Sequence, residues 1–87
     1  MLKHYIEKYV KKMSINDVYK FSKKNNVELT ENEANTIFDA IKEDWETLVF
    51  GNHNIILDKN KNKLNHELYN KINELIIEYK NKYSELL

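Results

Sequence analysis

The 87-residue chain has no cysteine, no proline, no arginine and one glycine. Without cysteine there is neither a disulfide frame nor a thiolate metal site. Without proline, and with one glycine, helix breakers are scarce, so long helices with short joints are expected. All 14 basic residues are lysine, so no planar guanidinium fork exists to grip a phosphate or a guanine edge. No apolar run approaches the ~20 residues of a membrane span. The opening "MLKHYIEKYVKKM" interleaves charge with apolar residues, which is not a signal-peptide pattern. A cytoplasmic, non-membrane protein is expected.

What is present suits one small soluble domain over residues 1–87. Hydrophobic residues make up 41% and charged residues 32%, a globular balance rather than a disordered one. Net charge is zero but unevenly spread. Residues 1–30 carry seven lysines and three acids, residues 31–50 one lysine and six acids, and residues 51–87 six lysines and five acids. The basic and acidic segments are expected to pair within the fold.

Apolar spacing supplies the elements. Leu2, Ile6, Tyr9, Val10 and Met13 mark one stripe of a helix over 2–12. Ser14 and Asp17 open a second, over about 15–24, with Ile15, Val18, Tyr19 and Ser22 on one face. Asn25 or Asn26 ends it in a left-handed conformation. Thr30 and Glu33 form a capping box for a third helix, from Glu31 to about Val49. Its stripe is Ala34, Ile37, Phe38, Ile41, Trp45, Leu48 and Val49, which makes it the central element with Trp45 largely buried. Gly51 fits the position just past its end. "NHNIIL" reads as a joint with a short extended piece. Leu64, Leu68, Ile72, Leu75, Ile76, Tyr79, Tyr83 and Leu86 then trace a near-heptad seam, read as one continuous helix from Asp58 or Asn60 to about Glu85. The expected fold is all-α: a compact four-helix bundle-like domain of two shorter helices, a central amphipathic helix and a long C-terminal one.

Asp58, Asn60 and Asn62 alternate as an EF-hand calcium loop begins. Position 6 of that loop is Lys63 where glycine makes the turn, and position 12 is Tyr69 where a bidentate glutamate belongs. Three lysines interleave the ligands. The pattern reads instead as a solvated helix start capped by Asp58. His4, His53 and His66 fall in different elements with no ligand spacing, so no metal site is expected. Asp39 and Glu43 share a face at i, i+4, but no nucleophile, phosphate loop or oxyanion turn accompanies them. A non-catalytic protein without cofactor is expected.

The aromatics Tyr5, Phe21, Phe50 and Tyr69 stand off the stripes. Among lysines such rings can stack on bases, and they can equally anchor a protein interface. Zero net charge and absent arginine favour the protein. The leading expectation is therefore a protein-interaction module, with a protein partner or a homo-oligomer. Its candidate interface is Tyr79, Tyr83 and Leu86, where the seam outruns three short helices. The alternative is nucleic-acid binding through Lys8, Lys11, Lys12, Lys20, Lys23 and Lys24 on the first two helices.

"INDVYKFSKKNNVELTENEANTIFDAI" forms a helix, a polar break and a capped helix, followed by "GNHNIILDKNK" and a helical tail. Val18 and Phe21, Asn25–Asn26, Leu29–Thr30, Ala34, Asn54–Ile55 and Asp58 carry a resemblance. The chain resembles a small family of low-GC Gram-positive bacteria, domain-of-unknown-function family 2624, over nearly its whole length. Lys42 to Phe50 is longer than the family's equivalent. The resemblance implies a small cytoplasmic bacterial helical protein and brings no activity.

Overall fold

The computed structural model describes residues 2–85. Five α-helices and one 3-10 turn make up the fold: α1 (Leu2–Lys12), α2 (Ile15–Lys24), α3 (Glu31–Phe50), α4 (His53–Lys59), a 3-10 turn (Lys61–Lys63) and α5 (His66–Lys82). The all-α expectation holds, and α3 is central, packing on α1, α2 and α4.

Local chemistry sets most boundaries. The backbone N–H of Ser14 donates to Asp17 Oδ2 at 2.8 Å, opening α2. Asn26 takes the left-handed conformation at φ 56°. The N–H of Val27 then reaches Ser22 O at 2.8 Å and that of Asn26 reaches Lys23 O at 3.1 Å, a Schellman closure built on asparagine in place of glycine. At α3, Glu33 N–H donates to Thr30 Oγ1 at 3.1 Å and Thr30 N–H donates to Glu33 Oε1 at 3.0 Å. That reciprocal pair satisfies two of the orphan donors of the first turn. The end of α1 is closed from afar: Lys42 Nζ on α3 donates to the carbonyls of Val10 and Lys11, a cation where the helix dipole favours one.

Three expectations are corrected downstream of α3. The joint at 53–57 is helical, not extended, because Asn52 Oδ1 accepts from Asn54 N–H at 3.0 Å and starts α4. Helical pitch then turns Ile56 and Leu57 inward together and leaves Ile55 60% exposed, a pattern that strand alternation does not give. The C-terminal helix is also not continuous from Asp58. Asp58 lies in the last turn of α4, Asn60 caps its end with Nδ2 on Ile56 O at 2.9 Å, and Leu64 is extended. A new helix starts at Asn65, whose Oδ1 accepts from Leu68 N–H at 2.8 Å. Asp58 therefore caps no helix start; it accepts the Tyr69 hydroxyl at 2.7 Å.

Smaller differences follow. Asp44 leaves helical geometry at φ −122°, ψ 20°, kinking α3. Gly51 ends α3 in extended backbone, φ −113° and ψ −156°, rather than left-handed. A Cβ there would lie 3.2 Å from Thr47 O, so glycine serves close approach. Tyr9, placed on the α1 stripe by spacing, is 67% exposed.

Candidate functional site

Burial is thin. Val10, Val18, Ala34, Ile56, Leu57 and Leu68 are the buried apolar residues, and among the described residues no large side chain is fully enclosed. Trp45, expected to be largely buried, is only partly so. The apolar stripes face a shared hollow of about 610 Å³. Leu2 and Ile6 of α1, Val18 of α2, Ile37, Ile41 and Trp45 of α3, and Ile72, Leu75 and Ile76 of α5 all wall it. Its mouth is open, and its polar neighbours are few, among them Asn25, Asn60, Lys71 and Lys80. Water held there finds too few hydrogen-bond partners for good solvation.

Surface area gives the same result. The chain exposes 6473 Å². A folded monomer of 10.5 kDa is expected to expose about 5,400 Å². The excess of about 1,000 Å² compares with the ~800 Å² that each partner buries in a standard protein interface. The Cα radius of gyration is 12.5 Å, close to the ~12 Å expected for this length, so the chain is not extended.

Three aromatic rings stand at the mouth. Phe21 of α2 and Tyr79 of α5 lie 6.1 Å apart, and Tyr79 and Tyr83 lie parallel at 6.4 Å. Their exposures are 44%, 37% and 42%. The structure thus gathers two of the three expected interface residues and adds Phe21; Leu86 lies outside the described residues. Phe21, read from the sequence as an off-stripe ring open to bases or a protein interface, was not placed beside Tyr79. Only the path of α5 brings Tyr79 to it.

Polar joints hold α5 at both ends. Near its start, the buried Glu33 accepts from Asn65 N–H at 3.2 Å and Asn65 Nδ2 at 3.0 Å. One carboxylate so closes the first turns of α3 and α5 together. The Thr30 backbone bond, followed by those from Asn65 and the Thr30 side chain, holds its pKa below the ordinary carboxylate value, against the opposing push of burial. Near its end, Lys80 Nζ donates to Gly51 O at 2.8 Å and to His53 Nδ1 at 3.1 Å. His53 Nε2 lies 3.0 Å from Asn73 Oδ1. Lysine only donates, so Nδ1 accepts and Nε2 carries the proton to Asn73. His53, which sequence spacing marks only as no metal ligand, is buried by the helical α4. Desolvation pushes the Lys80 ammonium below its ordinary pKa.

The remaining expected sites are dispersed. Lys8, Lys11, Lys12, Lys20, Lys23 and Lys24 are all exposed, and Lys11 pairs with Glu7 at 3.2 Å. Lys3 meets Glu46 at 3.0 Å, an exposed pairing of the basic first third with the acidic segment that adds little stability. Asp39 and Glu43 are exposed. Among the described residues, no group of three His, Asp or Glu could hold a metal ion, and no helix is long and apolar enough to cross a membrane.

No family model, no curated protein and no solved structure matches this chain.

Proposed function

We propose that this chain is a non-catalytic protein-interaction module whose working surface is the hollow and its aromatic mouth, Phe21, Tyr79 and Tyr83. The observation that carries the reading is the open apolar hollow with three exposed rings at its mouth. An apolar concavity of this kind is what a domain exposes when a partner supplies part of its core. The hollow is open and walled by apolar side chains, and the apolar face of a helix fits such a groove. Tyrosine at the rim suits the role, with an apolar ring inward and a hydroxyl to water.

A photoreactive benzoylphenylalanine in place of Tyr83, irradiated in the living cell that makes the protein, tests this. The expected product is a covalent adduct to a polypeptide, absent when the same group replaces Tyr9. Nucleic acid captured from the Tyr9 side, with no polypeptide captured at position 83, would replace this reading with the lysine-based one.

A further inference from the structure

The structure divides the surface of α5 into three strips. One flank is occupied: Tyr69, Asn73 and Lys80 bond to Asp58, His53 and Gly51. The apolar face, with Leu68, Ile72, Leu75 and Ile76, turns to the hollow. The other flank carries Glu67, Lys71, Glu78 and Lys82, all exposed. Their spacing, i, i+4, i+11 and i+15, puts them on one side of the helix.

That flank has a charge order which reverses about its own middle. Laid antiparallel against an identical helix, with the two-fold axis between Glu74 and Leu75, Glu67 opposes Lys82 of the second copy. In the same register Lys71 opposes Glu78, and symmetry repeats both pairs. In antiparallel helix pairs like flank meets like flank, and flanking charges of this kind choose orientation and register. Zero net charge puts no global repulsion in the way.

We propose that the occupant of the hollow is a second copy of this chain, joined through antiparallel α5 helices in the register that pairs Glu67 with Lys82 and Lys71 with Glu78. This rests on the protein-interaction reading and names its partner. The arrangement is isologous and closes at two copies. It also has one adverse contact: the two Glu74 side chains approach each other at the axis.

Native mass spectrometry and sedimentation equilibrium over a dilution series test it. The expected species is twice the 10.5 kDa of one chain. Lys71→Glu weakens association by about tenfold, since it sets like charges together twice across the axis. Glu74→Gln tightens it. The fourfold reversal Glu67→Lys, Lys71→Glu, Glu78→Lys and Lys82→Glu restores self-association, but its chains do not mix with the wild type. Circular dichroism on each variant confirms that α5 still forms. A dimer that mixes freely with the reversed variant overturns the register. A bare monomer at every concentration, or a monomer carrying an alkyl-chain amphiphile, overturns the second copy as occupant. A monomer that still gives a polypeptide adduct at position 83 leaves the interaction module standing with a different partner.

Discussion

The two ends of α5 are built for different work. At the first, Leu68 is 4% exposed, and the Asn65 cap is locked onto Glu33 of α3 through two hydrogen bonds. At the second, Tyr79 and Tyr83 stand exposed while Lys80 bonds to Gly51 and His53, and His53 to Asn73. The first end uses its apolar contact and its polar atoms inside the chain. The second keeps its apolar area on the surface. On the proposed reading, stability and recognition are separable along one helix about 25 Å long, and substitutions at its two ends should separate them.

The largest effect belongs to the closed end. Leu68→Ala truncates a side chain that is 4% exposed and should cost about 3 kcal/mol in chemical denaturation. A loss below ~1 kcal/mol would mean that the closed end is as loosely packed as the open one. Glu33→Gln comes next, at about 2 kcal/mol. The amide turns one acceptor oxygen into a donor facing the donors of Asn65 or Thr30. Here pH sharpens the comparison. The folded-state pKa of Glu33 is lowered from its ordinary value of 4.5. The carboxylate therefore contributes stability that is present above pH 4.5 and is lost as pH falls through the folded value. Wild type should lose this part of its stability in acid, and Glu33→Gln should show a flatter profile there. Equal slopes would assign the acid loss to other carboxylates.

How much of this was legible in the sequence differs along the chain in the same way. The boundaries of α2 and the start of α3 are readable because each is set by residues close in sequence: Ser14 with Asp17, Asn25 and Asn26 at a closure, Thr30 with Glu33. The region 52–65 is not readable by apolar spacing. Leu64 and Leu68 keep a four-residue interval across a break in which Leu64 is extended, so the seam runs unbroken in sequence and broken in space. The available signal is asparagine. Asn52 and Asn65 each start a helix and Asn60 ends one, in keeping with the preference of that side chain for caps over helix interiors. Of the candidate interface, Tyr79 and Tyr83 follow from spacing. Phe21, His53 and the second role of Glu33 do not, because each depends on a partner 20 or more residues away. How tightly Trp45 is packed is not readable for a related reason: helical periodicity says which way a side chain points, not whether anything fills the space it points into.

At the open end the tie is smaller. His53→Ala leaves Lys80 and Asn73 without their shared partner and should cost about 1.5 kcal/mol. It should also speed amide exchange in the last two turns of α5 ahead of the first two. Uniform exchange along α5 would show that the two ends open as one unit, and the comparison would fail.

The smallest effect on stability, and the most telling, is expected of Tyr83→Ser. An exposed side chain at a helix end contributes within about 0.5 kcal/mol to folding. The same ring, stacked on Tyr79 at the mouth of the hollow, lies where an interface concentrates its affinity. Denaturation midpoints of Tyr83→Ser should therefore match wild type, while its self-association, followed by sedimentation, weakens by about tenfold. Loss of folding stability instead would make Tyr83 part of the core of the single chain. The open end would then be a weaker copy of the closed one, not a surface kept free for a partner.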